Sequence, residues 1–183
     1  MADNIMPFKG VWPTIDPSVF LAPTASVIGD VEIGAETNIW FGCLVRGDMN
    51  VIRIGRRVNI QDLTIVHVDS RKYGTFIGDD VTIGHSAIVH ACTLEPGSFV
   101  GMQACVMDGA VVESGAMVAA GALVPPGKRV PAGQLWAGTP ARYLRDCGDQ
   151  EKDMIDRIPK SYGQLAKDYM EAGIGVTGGG EGG

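Results

Sequence analysis

The sequence predicts an all-β solenoid: a parallel β-helix of hexapeptide repeats with a C-terminal α-helix packed alongside. Three observations predict it. An aliphatic residue recurs every six positions over more than half the chain, a small residue sits four positions after it, and near Asp149 the repeat gives way to a polar segment of helical period. A six-residue period with one aliphatic slot matches neither the roughly 3.6-residue helical repeat nor longer helical arrays. It fits three hexads per triangular coil. The aliphatic slot stacks inside, the small slot lets the chain turn each corner, and successive coils lie about 4.8 Å apart, the ordinary strand spacing.

In chain order, residues 1–18 form a lead-in without the repeat. The β-helix is expected over 19–145. It reads Leu21, Val27, Ile33 and Ile39, slips by three residues, and resumes at Ile54, Ile60 and Val66. After a five-residue insertion come Ile77 and Ile83, then a shorter step to Ile88, Leu94, Val100, Val106, Val112 and Val118. A solenoid exposes apolar interior at its ends and must be capped. Residues 149–172 supply a helix, because Met154, Ile155, Ile158, Tyr162, Leu165 and Tyr169 recur at three- and four-residue steps. It is expected to lie along the prism, with Pro140-Ala141-Arg142 leading in and Pro159 kinking or splitting it. The Gly-rich segment 173–183 is expected to be disordered. Its formal G-x-G-x-x-G match has no strand before it and no helix after it, so it is not read as a dinucleotide site.

Composition narrows the function. The 183 residues carry 15 Lys+Arg against 21 Asp+Glu, a net charge of −6, with no basic run to meet a phosphate backbone; nucleic acid is excluded as a partner. No apolar stretch approaches the roughly 18 residues of a membrane span, and the first ten residues lack a signal-peptide pattern. The four cysteines have no C-x-x-C spacing, which argues against a disulfide framework or a thiolate zinc site. Cys43 and Cys92 fall in the small interior slot and read as reduced residues of a cytoplasmic protein.

All three histidines lie between positions 67 and 90. The hexad count puts His67 and His90 on one prism face in successive coils, one strand spacing apart and able to aim at one ion. His85 lies on the neighbouring face and diverges from them, so a compact three-nitrogen site within one chain is sterically poor. In a cyclic trimer, His67 and His90 of one chain would converge with His85 of the next, one site per interface. Three imidazoles without a fourth protein ligand suit Zn²⁺ with an open position, and Fe²⁺ or Co²⁺ could take the same donors. Water in that position, acidified to a pKa of about 7, would supply hydroxide for attack on a small electrophile such as CO₂, giving bicarbonate.

From about Pro13 to Met170 the sequence resembles the γ-class carbonic anhydrases, trimeric left-handed β-helix proteins. The resemblance rests on Arg46-Gly47-Asp48, Asn59-Ile60-Gln61-Asp62, His67, Gly84-His85-Ser86-Ala87-Ile88-Val89-His90, and Trp136-Ala137-Gly138-Thr139-Pro140-Ala141-Arg142. It implies a left-handed helix, an exception to the usual crossover hand, and makes His67, His85 and His90 the zinc ligands, two from one subunit and one from its neighbour. It also implies that Gln61 bonds the zinc-bound hydroxide, beside a second polar pocket residue, Asn59. Arg46 and Asp48 would form an ion pair between subunits, Asp62 would support this network, and Tyr162 would overhang the site. The chain departs from the family prototype at Met49, where the prototype has a proton-accepting glutamate, and in the short segment Asp69–Thr75, which replaces a longer acidic loop. Low turnover is therefore expected. Two other readings share the fold: a non-catalytic metal-binding scaffold of the same family, and a hexapeptide acyltransferase using one His as a general base without metal.

Overall fold

The computed structural model describes residues 4–177. Three aliphatic ladders fill the interior of a triangular prism. Val27, Val45, Val66, Val89, Val106 and Val124 pair in parallel register down the first face. Ile33, Ile54, Ile77, Leu94, Val112 and Val130 do so down the second, and Leu21, Ile39, Ile60, Ile83, Val100 and Val118 down the third. All eighteen belong to the buried core. The architecture is the expected left-handed parallel β-helix, with about seven coils. Most strands are only two or three residues long because the chain turns after each side of the triangle, whereas Ser26–Ile33 and Leu44–Ile54 run on from the first face to the second. At one corner Gly97, Gly115 and Gly133 recur one coil apart with φ of 67–68°, a left-handed conformation that glycine adopts without steric cost. Gly84 answers a different demand: a Cβ there would lie 2.6 Å from the Met102 backbone nitrogen of the next coil.

The sheet starts inside the expected lead-in, where Ile5–Met6 and Thr14–Ile15 pair in parallel with Ser26–Ile33. At the other end Arg142–Asp146 turns back antiparallel onto Gln134–Ala137, closing the last coil.

The helix runs unbroken from Asp149 to Glu171. Pro159 lies inside it and does not split it. The proline lacks one N–H, but its ring is buried, and that burial offsets the lost backbone bond. The apolar stripe also differs by one position: Leu165 is 40% exposed while Ala166 is buried at 4%. Beyond Tyr162 the face touching the prism continues through Ala166 and Tyr169, steps of four and three. Met154, Ile155 and Ile158 pack on Phe99, Met117 and Leu135, outward residues of the third face, and on Cys147 just before the helix. Twenty-three residues at about 1.5 Å each span about 35 Å, close to the height of the coils at about 4.8 Å apiece. The chain therefore returns to the first coil, where Val176–Thr177 pairs antiparallel with Phe20–Leu21. The rest of the segment expected to be disordered, residues 178–183, lies outside the described part.

Candidate metal centre

The outward residues of the first face build the site. Strands Ile65–His67 and Ile88–His90 pair so that His67 lies beside His90, as the hexad count predicts. Their rings are 5.2 Å apart, and His67 Nδ1 lies 3.2 Å from His90 Nε2. The remaining nitrogens are tied to carboxylates. Asp48 Oδ1 sits 3.0 Å from His67 Nε2, and Asp108 Oδ1 sits 2.6 Å from His90 Nδ1. Asp48 also pairs with Arg46 within the same chain. Burial works against the Asp48 charge, but the hydrogen bonds from His67 and Arg46, with the Arg46 charge, hold its carboxyl below the usual range.

A second group occupies the corner between the third and first faces. Asp62 Oδ2 lies 2.9 Å from His85 Nδ1, and its other oxygen accepts the Phe41 backbone N–H at 3.2 Å. The Tyr162 hydroxyl reaches from the helix to 3.3 Å from His85 Nε2. Burial, then the nearby Asp62 charge, raise the Tyr162 pKa. Asn59 and Gln61 are both buried, and Gln61 Nε2 donates to Asn59 Oδ1 at 2.9 Å. Gln61 Oε1 has no hydrogen-bond partner among the described residues.

The nine residues singled out from sequence thus fall into two clusters. Arg46, Asp48, His67 and His90 stand together on one edge of the first face; Asn59, Gln61, Asp62, His85 and Tyr162 gather at the other. Among the described residues of one chain, no three His, Cys, Asp or Glu side chains converge on a common point. The donor set nevertheless fits a metal ion. Two nitrogens each about 2.0–2.1 Å from a tetrahedral zinc stand about 3.3 Å apart, close to the 3.2 Å between His67 and His90. A carboxylate on the second nitrogen of each imidazole is the arrangement that fixes a metal-binding tautomer. Asp108 was missed from sequence, although it follows His90 by eighteen residues, one regular coil.

Fold and site define a hexapeptide-repeat left-handed β-helix protein with two carboxylate-braced histidine clusters flanking one face. No protein-family model matches the chain, but individual proteins do. It is 42% identical over 165 residues to a carbonic anhydrase of Geobacillus kaustophilus, covering 90% of each chain. It is 50% identical over 160 residues to the mitochondrial gamma carbonic anhydrase 2 of Arabidopsis thaliana, covering 85% of this chain but spanning only 58% of that protein's length. A crystal structure of a hexapeptide transferase family protein from Anaplasma phagocytophilum superposes with a TM-score of 0.88 at 46% identity, over 92% of this chain and 99% of that one. The chain belongs to the γ carbonic anhydrase family.

Proposed function

We propose that the protein hydrates CO₂ reversibly to bicarbonate at zinc sites shared between the subunits of a homotrimer. One observation carries this reading: the two histidine clusters flank a face that no described residue covers and that is apolar outward. Leu44, Ile65, Ile88, Cys105 and Leu123 form its outer row, with Ile65 and Ile88 41% and 40% exposed. The helix covers the third face, and the second carries Arg53 and Arg129 among its outward residues. Packing the first face around a threefold axis would bring the His85 edge of one chain to the His67–His90 edge of the next.

His67, His85 and His90 would hold the ion, and Asp48, Asp62 and Asp108 would keep their tautomers. When bound, zinc supplies Lewis acidity that makes water a nucleophile near neutral pH. Gln61 would orient the attacking oxygen through its unpartnered carbonyl, and Arg46 would offer positive charge to the product anion. The four cysteines are free and three are buried, which supports a reducing, cytoplasmic setting; no helix among the described residues is long and apolar enough to cross a membrane. Met49 favours a second reading, the non-catalytic scaffold: it is 59% exposed where the prototype carries its proton-accepting glutamate, and a thioether transfers no proton.

Metal analysis of anaerobically purified protein with stopped-flow CO₂ hydration tests these readings. The expected result is zinc, inhibitor-sensitive hydration, and a rate that rises with imidazole concentration at limiting buffer. A buffer-independent rate would contradict the Met49 argument. Zinc without turnover supports the scaffold, and acyl-CoA turnover without metal supports the transferase.

A further inference from the structure

We infer that Trp40 dictates, through Asn38 and Asn59, which face of the Gln61 amide meets the metal site, and so biases that site toward ligands carrying a hydrogen over bare anions. The inference rests on the metal-site reading above and adds two residues to it. An indole N–H can only donate, whereas an amide can present either its oxygen or its NH₂. Trp40 Nε1 donates to Asn38 Oδ1 at 2.8 Å, which fixes that amide. Asn59 Nδ2 donates to the same oxygen at 2.6 Å, turning the Asn59 oxygen the other way. Gln61 Nε2 then donates to Asn59 Oδ1 at 2.9 Å. The last group of the relay, Gln61 Oε1, is buried and has no donor among the described residues.

Reversing the relay would set the Asn38 NH₂ against the indole N–H, two donors facing each other in a buried place, so one direction wins. Trp40 itself cannot turn readily. Its ring packs edge-on against Tyr162 and Tyr169 at 5.4 and 5.3 Å and lies 5.0 Å from Phe20. The Gln61 carbonyl needs a hydrogen-bond donor, which water, hydroxide and the O–H of bicarbonate provide. Thiocyanate provides none and meets the negative end of the carbonyl dipole.

The test uses the full chain loaded with Co²⁺, whose visible absorption reports anion binding independently of turnover. Thiocyanate and bicarbonate are titrated against wild type, Trp40→Phe, Asn38→Leu and Asn38→Asp. Trp40→Phe and Asn38→Leu free the relay to flip, and the thiocyanate-to-bicarbonate affinity ratio is expected to rise about tenfold. Asn38→Asp keeps an acceptor for both donors and is expected to hold the wild-type ratio. A folded, cobalt-loaded Trp40→Phe with the wild-type ratio overturns the relay, as does an Asn38→Asp shift equal to that of Asn38→Leu. If Trp40→Phe does not fold, the Asn38 pair decides by the same comparison. Wild-type protein that takes up neither cobalt nor zinc removes the metal-site reading, and the relay's role falls with it.

Discussion

Each histidine of the candidate site has a carboxylate within hydrogen-bond reach of one ring nitrogen, an arrangement that favours the tautomer whose other nitrogen can bind a metal. Asp108 makes the point most sharply, with 2.6 Å to His90 Nδ1. In Asp108→Asn the amide loses its charge and can turn its NH₂ toward Nδ1, favouring the tautomer with the proton on Nε2, which cannot bind metal. Metal affinity is expected to fall about 10–100-fold, measured by competition with a chromophoric chelator, while circular dichroism stays unchanged. An affinity equal to wild type would show that the contact does not brace His90. The histidines were legible in the sequence because the hexad count gives each a face. Asp108 was not: it stands one coil beyond His90, but a lone acidic residue among 21 carries no signal until its distance to an imidazole is known. Asn38 and Trp40 were not legible, because the helix that buries them arrives from the far end of the chain.

The C-terminal helix joins structure to site, since Tyr162 and the packing around Trp40 both depend on where it lies. Its existence followed from the spacing of Met154, Ile155, Ile158 and Tyr162, but its later turns did not: a three- or four-residue step allows Leu165 or Ala166, and the fit against Trp40 and Phe20 selects the smaller residue. Gly163 sits in the helix interior, where an added Cβ would meet nothing within 4 Å. Gly163→Ala is therefore expected to stabilise by about 0.5–1 kcal/mol, seen as a melting temperature about 2 °C higher; a lower one would mean that the backbone there is not ordinary helix. The helix start depends on Glu151, which accepts the Gly148 N–H at 2.9 Å and two bonds from Arg145 at 2.9 and 2.8 Å. Hydrogen bonds from Arg145 first, then from the Gly148 backbone, lower the Glu151 pKa to about 2. A carboxyl depressed in the folded state contributes fully above its unfolded pKa of about 4.3 and loses that contribution as pH falls toward the folded value. Glu151→Gln should thus melt below wild type at pH 7, with the gap closing between about pH 4.3 and 2. A gap independent of pH would rule out the charge as its cause.

At the scale of the molecule, the repeat made the fold readable because every coil tests the same assignment again, and three ladders cannot all stay in register by chance. The assembly is different: a single face shows what it lacks, not what covers it. What the first face lacks is cover over Ile65 and Ile88, and the site lacks a third nitrogen on the His67–His90 edge. One partner would supply both, another copy of the chain, so assembly and metal binding should fail together. In the double variant Ile65→Asp, Ile88→Asp, trimer formation would desolvate unpaired carboxylates and crowd them near the axis, each costing several kcal/mol. Both side chains face outward, so the interior ladders are untouched and the chain should still fold. Light scattering is expected to show a monomer with unchanged circular dichroism, and metal analysis to show zinc lost although His67, His85 and His90 all remain. A monomer that still holds zinc at wild-type affinity would place the site within one chain, and a variant that stays trimeric would move the interface to another face.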